Sequence, residues 1–270
     1  MIRVFQWSTP VEIDTMTFAG GERHVRLSGY QKGVSKNWVI KAAIHKSDDL
    51  IDLLLVADAI HRLEERPTIH LFCPYIPFAR QDRVCFPGEA MSLAVMARLL
   101  NSASFNYVEA WDVHSPMAQT LITNFKSVPA AQFVGGELRP GEVVVAPDKG
   151  AVLRAREAAG DTHPVIVAEK NRNPDNGALF GFHLPTDFEK LDTSGCAIVV
   201  DDICDGGRTF VGIGEMLRER VAGSLRLYVT HGIFSHGFND LLNIYDEILV
   251  ANLMTDAPLP KQVRHLQNTW

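Results

Sequence analysis

The stretch VVDDICDGGRTF (199–210) sets three aspartates, two glycines and an arginine between an apolar run and a helix-forming stretch. Acids this close repel one another unless a cation or a hydroxyl-rich ligand stands among them. Asp201 and Asp202, at the end of a strand, are suited to accept hydrogen bonds from the vicinal diol of a ribose. Gly206 and Gly207 lack Cβ, so a phosphate can approach the backbone closely where the next helix offers unpaired amides. Diol recognition beside phosphate recognition is sugar-phosphate chemistry. The competing reading is a strand with an acidic, solvated end. Two apolar residues, two acids, two variable residues, an acid and a glycine pair form a narrower pattern than a generic glycine-rich loop.

The elements that must position this loop alternate between short β-rich runs and helical stretches, which predicts an α/β architecture. NWVIKAAI (37–44) reads as a strand, and 48–65 as an amphipathic helix capped by Asp48 or Asp49. TIHLFCPY (68–75), FNYVEAWDV (105–113), GEVVVAPD (141–148) and HPVIVAEK (163–170) are further strands, with helices expected over 89–103 and 151–159. Asn, Pro, Gly and Asp crowd residues 171–185, predicting a mobile loop with a short hairpin. A buried strand (196–202), a helix (209–222) and strands at 224–234 and 246–252 complete the series. The two halves divide into an N-terminal lobe, 1–135, and a C-terminal lobe, 136–270.

With 46% hydrophobic and 21% charged residues, the chain can bury a sizeable core. Its net charge of −6 argues against a general nucleic-acid or membrane-surface binder. It leaves room for an anionic small ligand held by local arginines and Mg²⁺. Cys73, Cys85, Cys196 and Cys204 form no CxxC pair, so reduced thiols in a cytoplasmic protein are expected rather than a zinc site or disulfide framework. Glu12 and Asp14 interrupt the N-terminal apolar run, so no leader peptide is expected, and no stretch approaches the length of a membrane span.

The segment VVDDICDGGRT resembles the phosphoribosyl-diphosphate (PRPP) loop of type I phosphoribosyltransferases and PRPP synthetases. PYIPFARQDRV (74–84) resembles a segment found in the synthetases and not in the transferases. There Arg80 and Arg83 offer guanidinium forks to ATP phosphates, Gln81 can meet an adenine edge, and Asp82 orients an arginine. AWDVHSPMAQTL (110–121) and VVVAPDKGAVLRAREAA (143–159) resemble the segments that serve the ATP-bound metal, mapping onto His114 and Asp148. Such sparse ligation suits Mg²⁺. VAEKNRNP (167–174) resembles the flexible catalytic loop, with Lys170 and Arg172 on its lysine and arginine. FAGGERHVRL (18–27) resembles the segment lent to a neighbouring subunit's adenine pocket. Phe18 and Glu22 match there, while Gly20 stands where the family carries aspartate.

The resemblance implies two phosphoribosyltransferase type I-like lobes, each a mainly parallel sheet flanked by helices. It also implies a homo-oligomer of at least two copies, with both ends shorter than in bacterial synthetases. The implied reaction moves the β,γ-diphosphate of ATP to the C1 hydroxyl of ribose 5-phosphate. Asp201, Asp202, Asp205, Gly206, Gly207, Arg208 and Thr209 would hold the ribose phosphate, with Mg²⁺ as cofactor. Two departures keep a second acceptor open. The family's glycine is Arg208 here and its threonine is Gly206, an exchange suited to reaching a second phosphate, as in ADP-ribose on a route to NAD. An Arg208 pointing to solvent is the alternative to that reading. A catalytically silent, regulatory homologue is the third possibility.

Overall fold

The computed structural model describes residues 1–172, 179–183 and 195–267. The chain divides into two compact units, Met1–Val128 and Pro129–Trp270.

The first unit is built on a seven-stranded sheet in the order β3-β2-β1-β4-β5-β6-β7. Its elements are β1 (Ile2–Gln6), β2 (Thr9–Thr17), β3 (Arg23–Ser28), β4 (Asn37–Ala42), α1 (Ser47–Leu63), β5 (Thr68–Phe72), α2 (Ser92–Ser102), β6 (Tyr107–Trp111), α3 (Met117–Leu121) and β7 (Phe125–Val128). Strands β4 to β7 are parallel, and β1, β2 and β3 extend the sheet antiparallel. Trp38, Ile40, Leu53, Ile60, Ile69 and Leu71 are fully buried between the parallel strands and α1. The antiparallel extension has no counterpart among the strands expected from sequence. Gln6 pairs with Thr9, so β1 and β2 are joined by a two-residue hairpin whose first residue is Trp7 at φ 58°. That conformation normally announces itself through glycine, asparagine or aspartate.

Two expected boundaries move for identifiable reasons. The N-cap of α1 is Lys46, not Asp48 or Asp49. Asp49 works from the third helical position, its carboxylate accepting from the amides of His45 and Lys46 at 2.9 and 3.0 Å. Helix α2 starts at Ser92 rather than 89, because Glu89 turns back to accept from the Cys85 and Phe86 amides.

The second unit carries α4 (Ala131–Val134), β8 (Val143–Ala146), α5 (Val152–Ala159), β9 (Val165–Val167), β10 (Glu169–Arg172), β11 (Leu179–His183), β12 (Ala197–Cys204), α6 (Arg208–Arg218), β13 (Leu225–Gly232), α7 (Asn239–Leu242), β14 (Glu247–Leu253) and β15 (Val263–His265). Its main sheet, β15-β14-β13-β12-β8-β9, is parallel throughout. The continuous apolar runs of β8 and β13 follow from this, since every residue of both is buried. At the start of these strands, Arg226 (1% exposed) is gripped by Glu142 (0%) and Glu247. This buried charge network ties the first residues of β13 and β14 to the segment before β8. Residues 169–172 and 179–183 form an antiparallel hairpin, matching the short hairpin expected there. The remainder of the expected mobile loop lies outside the described residues.

Candidate active site

In the first unit, two segments some thirty residues apart in sequence converge on one cavity of about 450 Å³. Arg80, Gln81, Arg83 and His114 line it, with Glu89 and Ser92 beside them. Asp82 makes the junction. Its carboxylate accepts from the buried Ser115 hydroxyl at 2.8 Å and from Arg83 Nε at 3.0 Å. The Ser115 hydroxyl and then the Arg83 guanidinium hold Asp82 below the usual carboxylate range, against the opposing effect of burial. Ser115, which the sequence reading did not single out, thereby joins the His114 segment to the arginine segment. Phe78 carries φ 65° two residues before Arg80, and the Gln81 amide donates to its carbonyl at 2.9 Å. The chain thus turns tightly enough to present consecutive polar side chains to the same space.

Phe18 and Glu22 do not line this cavity. They stand exposed on the tip joining β2 to β3, which is closed by a hydrogen bond from the Phe18 amide to the Glu22 carbonyl. A Cβ on Gly20 would lie 2.6 Å from a Glu22 carboxylate oxygen, so the glycine accommodates that side chain. Arg23, at the base of the tip, pairs through two nitrogens with the largely buried Asp52 of α1.

In the second unit the expected residues gather at the C-terminal edge of the parallel sheet, where ligands bind in open α/β sheets. Asp148 follows β8, Lys170 and Arg172 lie on β10 directly after β9, and Asp201 and Asp202 belong to the C-terminal half of β12. Strand β12 runs on to Cys204, because Ile203 and Cys204 still pair with His231 and Gly232, so the aspartates sit inside the strand rather than at its end. Gly207 caps α6 at φ 78°, which starts the helix at Arg208, one residue earlier than expected. A side chain at 207 would be strained in that conformation. Arg208 is exposed at the first helical position, and Thr209 follows half-buried.

What stands among the acids is Arg154, a residue sequence reasoning passed over. Reaching from α5, its guanidinium lies 3.1 Å from Asp201 Oδ1 and 3.4 Å from Asp202 Oδ2. Its side chain is only 11% exposed. Burial first, and then the charge of Asp202, push Asp201 well above the usual carboxylate range; Arg154 opposes both, and Asp148 adds to the repulsion. The helical period was the available signal. Arg154 shares a face with the buried Ala151, Ala155 and Ala158, whereas Arg156 points to solvent.

Asp148 Oδ1 accepts from the amides of Gly150 and Ala151 at 2.8 and 3.1 Å, which fixes its carboxylate. Among the described residues no group of three or more His, Cys, Asp or Glu is arranged to hold a metal. The anchored carboxylate of Asp148 is suited to an ion that keeps most of its water and substrate ligands, as Mg²⁺ does, rather than to a closed protein cage.

A two-unit α/β protein with an arginine- and histidine-lined cavity in one unit and an aspartate–glycine loop at the sheet edge of the other belongs to a narrow class. Two family models match the chain. Residues 8–104 match the N-terminal domain of ribose phosphate pyrophosphokinase, and residues 191–269 match the phosphoribosyl synthetase-associated domain. The chain is 28% identical over 261 residues to the ribose-phosphate pyrophosphokinase of Hyphomonas neptunium, covering 92% of this chain and 80% of that protein. The enzyme of the same name from Thermococcus kodakarensis is 27% identical over 90% of this chain and 85% of its own length. The crystal structure of phosphoribosylpyrophosphate synthetase from Mycobacterium smegmatis shares the fold with a TM-score of 0.80 at 24% identity, covering 97% of this chain and 87% of that one. The chain belongs to the PRPP synthetase family.

The acid pair yields a stability prediction. Replacing Arg154 by Met removes the cation, and breaking a buried pair costs about 3–5 kcal/mol. Without it, Asp201 rises further above its unfolded value. A folded carboxyl so raised contributes stability below the unfolded value and loses it as the pH climbs through the folded one. Urea denaturation should therefore show the R154M deficit greatest at neutral pH and smallest near about pH 4. A deficit independent of pH would contradict the pairing.

Proposed function

We propose that the protein is a Mg²⁺-dependent ribose-phosphate diphosphokinase that converts ATP and ribose 5-phosphate to PRPP and AMP. The observation that carries this reading is the convergence of Arg80, Gln81, Arg83 and His114 on one cavity. An enzyme that only consumes an activated ribose has no use for a second, nucleotide-sized site of that character. The names of the relatives point the same way.

In this reading the first unit receives ATP. Arg80 and Arg83 take phosphate oxygens, and Gln81 meets the adenine edge. The acceptor lies on the second unit, its diol on Asp201 and Asp202 and its phosphate on the turn formed by Asp205, Gly206, Gly207, Arg208 and Thr209, held through backbone amides. Arg154 opposes the burial and the mutual repulsion of the diol-binding acids and aims them. The C1 oxygen attacks the β-phosphorus in line, the bond from that phosphorus to the oxygen bridging to the α-phosphorus breaks, and AMP departs with the bridging oxygen. Such a transfer needs alignment and charge neutralisation more than a covalent nucleophile. Lys170 and Arg172 neutralise charge on the transferring diphosphate. His114 of the first unit and Asp148 of the second would each serve Mg²⁺ carried by the substrate phosphates, an ion that when bound would supply polarisation of the phosphoryl oxygens. Phe18 and Glu22, on their exposed tip, would serve the adenine pocket of another copy in a homo-oligomer. A silent regulatory homologue would have no need of Lys170, Arg172, His114 and Asp148 together.

Replacing Lys170 or Arg172 by Ala should lower kcat by about two to four orders of magnitude, the scale of lost transition-state charge stabilisation. The KM for ATP should stay within a few fold, because contacts made only in the transition state leave ground-state binding alone. Near-normal turnover in both variants would remove the assignment.

Arg208 supports a second acceptor. The exposed guanidinium at the first turn of α6 has room to meet a phosphate beyond the one seated on the loop, as in ADP-ribose. The product would then be an ADP-ribose 1-diphosphate. With both acceptors compared in steady state, Arg208→Gly should shift the ratio of kcat/KM values against ADP-ribose by about ten- to a hundredfold, the worth of one charge-assisted hydrogen bond. Equal losses would mean that the arginine shapes the loop. An unmodified enzyme inert toward ADP-ribose would end this reading.

A further inference from the structure

The segment after β13 is bound tightly to the phosphate loop. The amides of Ile233 and Phe234 both donate to the Cys204 carbonyl, at 2.8 and 3.1 Å. Ser235 donates twice to Asp205, from its amide to the carbonyl at 3.1 Å and from its hydroxyl to Oδ1 at 2.7 Å. Phe234 and Phe238 are buried, and their rings meet at 4.7 Å between centroids, pinning the segment on either side of residue 236. Phe234 adopts φ 49° and Gly237 φ 74°, so the backbone bends sharply around that position. At this held point stands an exposed imidazole, His236.

The ring leans over Gly206. A Cβ built there would lie 3.3 Å from both Cε1 and Nδ1 of His236 and 3.8 Å from Nε2. The imidazole therefore borders closely on the space that a side chain at position 206 would claim, at the mouth of the turn whose amides open α6. An exposed apolar residue would cover a glycine equally well. A ring carrying nitrogen donors, on a segment anchored at four backbone or side-chain contacts, is instead suited to meet an anion seated on that turn.

We infer that His236 is a specificity residue of the acceptor site, donating a hydrogen bond from its imidazole to the phosphate held at Gly206–Thr209. The inference rests on the acceptor reading given above. It supplies, from a neighbouring loop, the side-chain donor that position 206 lacks. Asp205 orients the presenting loop through Ser235, and Arg208, exposed at the first position of α6, stays available to a more distant group.

The test compares the unmodified enzyme with His236→Ala and His236→Gln. Loss of one donor to phosphate should raise the KM for ribose 5-phosphate about tenfold in the alanine variant. The KM for ATP should stay within about twofold, with kcat changed less than the acceptor KM. Glutamine keeps a donor and should recover part of the loss. A structural role would lower kcat and affect both substrates together, with no recovery by glutamine, and would overturn the inference. Calorimetric titration with inorganic phosphate separates this result from failure of the catalytic reading. An enzyme without diphosphokinase activity whose phosphate affinity still drops in His236→Ala refutes the reaction and keeps the residue's role. Equal phosphate affinity in all three proteins overturns the residue's role whatever the reaction.

Discussion

The second unit depends on one cation placed between two acids. Asp201 and Asp202 occupy a parallel strand buried on both faces, where ionised carboxylates are costly. Arg154 is the ion that makes them tolerable, and it comes from α5, the helix that also follows Asp148. The acid pair, the Asp148 turn and α5 are thereby one electrostatic unit. A vicinal diol offered to such a pair meets acceptors already aimed, and their mutual repulsion is offset before the ligand arrives. Preorganisation of this kind keeps reorganisation out of the binding step.

The first unit uses a different device for the same end. Ser115 and Arg83 converge on Asp82, so the segment bearing His114 and the segment bearing the arginines are held together by hydrogen bonds through one carboxylate. Among the side chains that face the cavity, Arg80 and Arg83 are long, exposed and cationic, suited to phosphate oxygens. Under the proposed function, burial with compensation on one unit would suit a small sugar held rigidly, and exposure with adaptability on the other would suit a flexible polyphosphate.

Much of this was legible in the sequence because the informative signals are local. A strand of valines broken by acids and then glycines identifies the loop after β12, and alternating apolar runs identify the parallel strands of both units. The antiparallel edge was hidden because its first turn places Trp7, not glycine, in the left-handed region, and because β2 interleaves only Val11 and Ile13 with acids, with little burial. The cap of α1 was misassigned because an aspartate near a helix start can cap it or reach back from its third position; only the backbone decides. Arg154 and Ser115 escaped for a tertiary reason, since each acts on a residue more than thirty positions away. His236 left no trace at all, as its meaning lies in the glycine beneath it.

The central claim is that the chain transfers an intact diphosphate from ATP to a sugar. The direct measurement incubates the protein with Mg²⁺, ribose 5-phosphate and ATP labelled in the γ-phosphate, then resolves the products. The account predicts AMP and labelled sugar 1-diphosphate in equal amounts, both dependent on the acceptor. Release of ADP with a singly phosphorylated sugar, or of free labelled phosphate, would contradict it.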